Sequence, residues 1–285
     1  MARWIVDDIL LDRHDEFGFP NIADAAEQAG HYVVRTKYVP FSTEPTKEVW
    51  DELAMDGPTV VYGCIEFVNQ LKRLGYLKGF RPGAYFNLDN LKVSTYSPIF
   101  GDLMLNNEFL MLPWGEIRRR IGRLPFGNRF FIRPDVVTKT FAGRVIDFDN
   151  PADNPEELSR YSPVGDETIC VLAPVKDILC ESRHLIVNKK VITSSQYRYN
   201  NVLDIRTDVH YLASDMAEWV ADHVWQPDNV YIVDIAVAAD GEKSPQAKII
   251  EFNTFSCAGL YAMDTHKVVE AVSRAADREF FGDDL

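Results

Sequence analysis

The sequence predicts a mixed α/β (α+β) protein in two parts, an open α/β layer over residues 1–97 and a second region over residues 98–285. Three observations predict it. Residues 1 to about 95 alternate short β-prone runs with helix-periodic stretches, the pattern of parallel strands joined by crossover helices. Further on, the pattern changes to strand pairs joined by short polar turns, as in antiparallel hairpins. Near the end, two apolar runs, Tyr231-Ile232-Val233 and Lys248-Ile249-Ile250, each lead straight into an acid, Asp234 and Glu251.

Taken in order, Trp4-Ile5-Val6 reads as a strand. Asn21 is placed to cap a helix through Ile22, Ala25, Ala26 and Ala29, with Gly30 as its stop. His31 to Arg35 is a second strand, Glu48 to Leu53 a short helix, and Thr59 to Tyr62 a third strand. Phe67, Val68, Leu71 and Leu74 fall at helical spacing, and Ala84-Tyr85-Phe86 reads as a further strand. Around the boundary, Leu103, Leu105, Phe109, Leu110 and Leu112 look buried, and Pro113-Trp114-Gly115 breaks the run.

The second region opens with strands Arg129 to Pro134 and Phe141 to Ile146, joined by the loop Asp135 to Thr140. Residues 147–166 form a polar loop or lid. Thr168 to Pro174 is an apolar strand ending in proline. Glu181 to Val187 pairs with Val191 to Tyr197 across Asn188-Lys189-Lys190. Leu212, Met216, Trp219, Val220 and Val224 share one face of a helix. The acidic strand pair follows, with Ala238-Ala239-Asp240-Gly241 as its turn signal. A last helix runs from His266 to Arg278. Trp4, Trp50, Trp219 and Trp225 are most simply core.

Composition excludes several classes. Apolar residues at 46% and charged residues at 26% are those of an ordinary globular protein. No run of about 18 apolar residues exists, so no membrane span is expected. Met1 to Asp8 carries acids where a signal peptide needs an apolar core, which points to the cytoplasm. Cys64, Cys170, Cys180 and Cys257 are scattered, without a C-x-x-C pair, as reduced thiols. A net charge of −13 opposes non-specific nucleic-acid binding. Arg118-Arg119-Arg120 with Arg123 reads as a solvated helix face or end. The sequence does not specify an oligomeric state; a homodimer is compatible with it.

The chemistry concentrates in the late strand pair. A hairpin brings Asp234 and Glu251 together, and Glu251 and Asn253, two apart on one strand, face the same way. Two carboxylates and an amide oxygen make a hard-oxygen site that suits Mg²⁺, which takes few protein ligands and shares its shell with phosphates. Acids flanking strands can also simply face water. Arg133 and Lys139 flank the earlier hairpin tip, where they either balance phosphate charge or sit solvated on a surface hairpin. No G-x-G-x-x-G or Walker A stretch occurs.

As an ordered series over roughly residues 125 to 265, these motifs resemble the ATP-grasp superfamily, which includes D-alanine:D-alanine ligase and glutathione synthetase. The resemblance implies a pre-ATP-grasp α/β domain (1–97) and a two-lobed ATP-grasp domain (98–285), with a small lobe at about 125–175 and a large lobe at about 176–285. It implies ATP and Mg²⁺ as cofactors, with Asp234, Glu251 and Asn253 holding the metal. Ile132-Arg133-Pro134 resembles the strand that usually reads Lys-Pro, and Lys139 sits at the phosphate-covering loop. Leu172-Ala173-Pro174-Val175 resembles the hinge that offers its backbone to adenine, with Leu172, Ala173 and Val175 as contacts; Pro174 removes one donor. Glu181 corresponds to the ribose acid. Arg133, Lys139, Arg183 and Arg198 correspond to contacts with phosphate or acyl phosphate. The loop Ser256 to Tyr261 follows Asn253 as the family's small-residue substrate loop does. The covering loop Asp135 to Thr140 has no glycine, unlike many relatives, and no arginine stands just before Asp234 as in several ligases.

The function implied is an ADP-forming, Mg²⁺-dependent ligase. It would join a small-molecule or peptide carboxylate to an amine (or thiol) through an acyl phosphate. A nucleotide-binding regulatory module without ligation, and a kinase-like enzyme on the same fold, are the alternatives.

Overall fold

A computed structural model describes the chain except residues 11–13, 41, 43–45, 48, 50, 52–55, 74–81, 137, 139, 151–152, 154–163, 240–243 and 283–285. The first strands are β1 (Arg3–Asp7), β2 (Tyr32–Thr36) and β3 (Thr59–Tyr62), all parallel, in the order β2-β1-β3. Helix α1 (Ile22–Gln28) joins β1 to β2. Its cap is Asn21, whose side chain accepts from the Asp24 N–H at 3.0 Å, and Gly30, at φ +81°, ends it. Helix α2 (Ile65–Arg73) follows β3. The expected helix at Glu48 to Leu53 lies largely outside the described residues, as does Trp50.

Helix α3 (Val93–Phe100), strand β4 (Leu110–Pro113) and helix α4 (Trp114–Arg119) come next. Strands β5 (Arg129–Pro134), β6 (Arg144–Asp147) and β7 (Ile169–Ala173) join β4 in an antiparallel sheet ordered β4-β7-β5-β6. The larger sheet, also antiparallel, is ordered β10-β9-β8-β11-β12. It contains β8 (Asp177–Val187), β9 (Lys190–Tyr199), β10 (Val202–Arg206), β11 (Val230–Ala239) and β12 (Gln246–Thr254). Helix α5 (Tyr211–Asp222) precedes β11, and helix α6 (Thr265–Phe281) closes the fold, capped by Asp264.

Asn188 and Lys189, both at positive φ, form the β8–β9 turn; Asn200 and Asn201 do the same between β9 and β10. Two successive left-handed residues match the strand twist of a tight hairpin. Strand β10 is therefore signalled by Asn200-Asn201, although the sequence reading passed from Tyr197 straight to a helix.

Four expectations change. Ala84-Tyr85-Phe86 is buried but not a strand; its backbone turns instead toward the segment after β12, with Tyr85 O accepting from Ser256 N at 3.4 Å. The strand expected from Phe141 starts only at Arg144, because Phe141 is drawn into the apolar cluster around Trp114. Pro113-Trp114-Gly115 does not break the run but starts α4, with Pro113 as cap. Trp219 is 46% exposed, since α5 turns only part of its apolar stripe inward. The division at residue 97 falls inside α3, which packs on the larger sheet through Tyr96 and Phe100 against Phe252. Arg118, Arg119 and Arg120 pair with Asp166 and Glu116 at the surface, as expected of a solvated helix end.

One face of the larger sheet organises the rest. On β11, Val230 and Ile232 face the same way as Asp234; opposite them on β8 lie Val187, Leu185 and Arg183. The first end of this face is apolar. It shares a core with Trp4, Val6, Tyr62 and the α6 residues Val268, Val269 and Val272, each fully buried or nearly so. Burial of each such side chain stabilises the fold by about 1.5–3 kcal/mol. The other end is charged, and the four-stranded sheet lies over it.

Candidate functional site

Register builds the charged end. Ser195 on β9, Arg183 on β8, Asp234 on β11 and Glu251 on β12 stand opposite one another in one row across four strands. Glu181, two residues before Arg183, lies on the same face and pairs with Arg198 across the strands at 3.2 Å. From the other sheet, Arg133 at the end of β5 reaches Glu251 Oε2 at 2.7 Å. The end of β5 is fixed by the next residues: Asp135 accepts from the Ser94 N–H and hydroxyl, both at 2.8 Å, tying β5 to the start of α3.

Arg183 is held on every side. Its Nε and one terminal nitrogen donate to the two Asp234 oxygens at 2.8 and 2.7 Å, a bidentate fork. Its other terminal nitrogen donates to Gly259 O at 2.8 Å. Its guanidinium lies 4.9 Å from the Tyr261 ring and 5.7 Å from Tyr197, which stack on each other at 5.0 Å. Tyr261 adopts φ +52°, a left-handed conformation that side chains rarely take and that is met at ligand clamps.

The acids answer to this environment. Burial pushes the Asp234 carboxyl up, to about 6, against the pull of Arg183. Burial also raises Glu251, but Arg133, the Asn253 amide and Arg183 outweigh it and hold that carboxyl below its usual range. Tyr197 is pushed well above the ordinary phenol range by burial and by the nearby Asp234 and Glu181 carboxylates.

The oxygens converge enough for a cation. Asn253 Nδ2 donates both to Asp234 Oδ2 at 3.1 Å and to Glu251 Oε1 at 2.9 Å, so one small group already touches both carboxylates. A half-turn of the Asn253 amide would present its oxygen at the same point. Among the described residues no cluster of three or more His, Cys, Asp or Glu side chains could hold an ion. Two carboxylates and one amide nevertheless fit Mg²⁺, which completes its shell with water and phosphate oxygens.

This row forms one wall of a cavity of about 590 Å³ between the two antiparallel sheets. Arg133, Val175, Glu181, Arg183, Arg198, Asp234, Glu251 and Asn253 all line it, so the structure brings together eight of the residues singled out in the sequence. Leu172 and Ala173 do not line it. Both are fully buried on β7, and Leu172 is paired with β4 on one side and β5 on the other. The segment facing the cavity is shifted to Pro174, Val175, Lys176 and Asp177. Lys139 lies outside the described residues.

Sequence reasoning missed Lys176, Tyr197 and Tyr261 as cavity residues, and also Gly143. A Cβ on Gly143 would lie 2.9 Å from the Phe131 ring and 3.4 Å from Arg133 Cβ. The glycine missing from Asp135 to Thr140 thus has a counterpart a few residues later, where the chain passes closest to two cavity side chains. Phe131, Val145, Val175 and Ile178 give the cavity an apolar part beside its charged wall.

Residues 114–271, more than half of the chain, match a family described as an ATP-grasp domain, the second family of its clade. No curated protein matches the chain in sequence. Solved structures share the fold at low identity. D-cycloserine synthetase DcsG superposes with TM-score 0.61 at 10% identity, over 96% of this chain and 99% of that one. N5-carboxyaminoimidazole synthetase from Staphylococcus aureus gives 0.56 at 12%, over 95% and 77%. ATP-grasp ligase PsnB, complexed with a minimal precursor, gives 0.54 at 12%, over 96% and 98%.

Proposed function

This chain belongs to the ATP-grasp family, and from that premise we propose that it is an ADP-forming ligase joining a carboxylate to an amine or thiol. The observation that carries the reading is the row Arg183-Asp234-Glu251, with Arg133 and Asn253 upon it, along the wall of the large cavity. Solved ATP-grasp proteins of the same fold include two synthetases and a ligase, one of them in complex with a precursor peptide and AMPPNP.

ATP lies with its base in the apolar part, near Phe131, Val145, Val175 and Ile178, and its phosphates toward Arg133 and Arg183. The backbone of 174–177 serves as the hinge, and Glu181 takes the ribose hydroxyls. Lys139 belongs to the covering loop. Asp234, Glu251 and Asn253 would hold Mg²⁺, which when bound supplies charge neutralisation at the phosphate oxygens. Arg133 and Arg183, fixed by Glu251 and Asp234, aim their remaining N–H groups at the charge that moves in phosphoryl transfer, while Arg198 flanks the same path. Such transfer depends on alignment and electrostatics more than on a protein nucleophile. The γ-phosphoryl group passes to a carboxylate oxygen, leaving ADP. An amine then attacks the acyl carbon and phosphate departs. The α/β layer of residues 1–97 acts as the wall on the acceptor's side, and the protein works in the cytoplasm.

Incubation with Mg²⁺-ATP and pooled carboxylates and amines, following ADP and product mass, tests this. ADP that forms only when both co-substrates are present supports ligation. A phosphorylated product that never incorporates an amine points to a kinase-like enzyme, and nucleotide binding without turnover to a regulatory module. Glu251→Gln is expected to abolish Mg²⁺-dependent turnover with the fold intact; unchanged turnover would sink the metal assignment.

A further inference from the structure

A second, smaller cavity of about 150 Å³ lies behind the charged row. Arg183, Glu251 and Asn253 line both cavities, so the row is the partition where they meet. The rest of the small cavity is nearly all apolar. Ile65 from the start of α2, Phe86 and Leu88 come from the first part of the chain, and Cys257 and Ala258 from the turn after β12. Thr254 supplies the one hydroxyl.

Resting on the ligase reading above, we infer that this cavity seats the acyl tail of the carboxylate substrate. The substrate is then a small free acid with a compact apolar tail, not a polypeptide side chain. The partition supplies the polar end. Of the five N–H groups of Arg183, two donate to Asp234 and one to Gly259 O, leaving one on each terminal nitrogen for a carboxylate. A carboxylate held there has its oxygen on the same side chain that faces the nucleotide cavity. The apolar walls set the other end. A cavity of about 150 Å³ lined by apolar side chains takes up a molecule the size of benzene, so the tail reaches about six carbons. A polar or charged tail would leave its groups without partners among Ile65, Phe86, Leu88 and Ala258. A peptide would have to pass its backbone through a space that holds a single ring.

Hydroxylamine turns this into a measurement. The acid takes the γ-phosphoryl group of ATP, releasing ADP. The hydroxylamine nitrogen then attacks the acyl carbon, phosphate leaves, and a hydroxamate forms. Acetate, isobutyrate, isovalerate and benzoate are compared with octanoate, succinate and a peptide carrying glutamate. Hydroxamate is expected from the branched and single-ring acids, at least tenfold faster than from octanoate, succinate or the peptide. Leu88→Ala, which widens the cavity, is expected to move the optimum toward longer tails. Ala258→Leu, which fills it, should cut the benzoate rate at least tenfold. ADP affinity should stay unchanged in both, and Leu88→Ala decides the matter should Ala258→Leu fold poorly. Hydroxamate formed preferentially from the peptide, succinate or octanoate overturns the inference while leaving the ligase reading in place. So does a Leu88→Ala variant whose order of acids is that of the wild type. No hydroxamate from any acid, with ADP still bound, removes the ligase reading and this inference with it.

Discussion

Asp234→Asn tests whether the buried row is held together by charge. The carboxylate accepts three hydrogen bonds: Oδ1 from Arg183 Nε at 2.8 Å, and Oδ2 from Arg183 at 2.7 Å and Asn253 at 3.1 Å. An amide has one oxygen and one NH₂. Whichever way it turns, its NH₂ meets an arginine N–H, so one charged bond becomes a donor–donor contact. The two side chains are 11% and 2% exposed, and water cannot take over. Removing one partner of a buried pair costs about 3–5 kcal/mol, and the surviving oxygen contact puts this case near ~3 kcal/mol. Arg183→Met leaves a buried carboxyl, which is easier to tolerate once it holds a proton; its cost is expected to shrink between pH 7.5 and pH 5. The double variant Arg183→Met/Asp234→Leu removes both charges, and is expected to lie within about 1–2 kcal/mol of wild type, the lost donor to Gly259 O included. Urea unfolding, read as midpoint shifts at constant slope, measures all three, and all three are expected to lose ATP turnover. An Asp234→Asn cost below about 1 kcal/mol, or a double variant as costly as the two singles summed, would refute the reasoning, because the charges would then be independent.

The remaining predictions concern other places. Gly83→Ala sets a Cβ 2.6 Å from the backbone oxygen of Thr59 at a φ of +93°, and should cost at least about 2 kcal/mol in urea unfolding. Gly143→Ala presses on Phe131 and Arg133 and is expected to raise the KM for ATP about tenfold, the effect of ~1.4 kcal/mol, with the unfolding midpoint little changed. Burial pushes the Asp228 carboxyl up to about 7. Between its unfolded value near 4 and about 7 the folded chain therefore binds more protons, and stability is lost as pH rises; Asp228→Asn should flatten that part of the wild-type pH–stability curve. Mn²⁺ followed by electron paramagnetic resonance should bind at least tenfold more tightly with AMPPNP present than alone, since each Asp234 and Glu251 oxygen already accepts from Arg183, Arg133 or Asn253; equal affinities would count against a shared site.

What could be read from the sequence divides along physical lines. Period and turn chemistry are local, so the β8–β9 hairpin, the cap of α1 and the acidic pair β11–β12 were all legible. Glu251 and Asn253 share a face because two residues on a strand must. Strand β10 was legible too, in Asn200-Asn201, and was passed over because Val202 to Arg206 carries mixed charge. Other features depend on what lies far along the chain. Ala84 to Phe86 has a strand's composition, but its neighbour is the turn after β12, not a strand edge. Leu172 and Ala173 carry the hinge pattern, yet β7 lies between two strands and uses them in pairing, which passes the cavity-facing role to residues 174–177. The clamp on Arg183 could not be anticipated: Tyr197 sits at a register shift between β8 and β9, and Tyr261 in a left-handed turn. Neither follows from spacing.

The charge balance of the row explains why its arginines are arranged as they are. Arg133 answers Glu251, Arg183 answers Asp234 and Arg198 answers Glu181, so the row is neutral by itself. Buried ion pairs of this kind are weak sources of stability, because desolvation offsets most of the attraction. A chain under pressure for stability alone would do as well with apolar side chains in the row, as it does a few residues away at Val230, Ile232 and Leu185. The row instead keeps acids and bases apart by a single hydrogen bond. In the ligase reading this neutrality has a consequence. A nucleotide triphosphate cannot be held by the row's net charge, since there is none. Its charge must be met by cations outside the pairs, such as Arg129 and Lys176 on the cavity wall, or by parting the pairs themselves. An arginine parted from its acid regains the N–H groups that the acid occupied, and Arg133 and Arg183 are already on the wall that faces the phosphates. The pairs therefore store donors close to the transferring phosphoryl group, and whatever draws Asp234 and Glu251 away from their arginines also frees the groups that act on it.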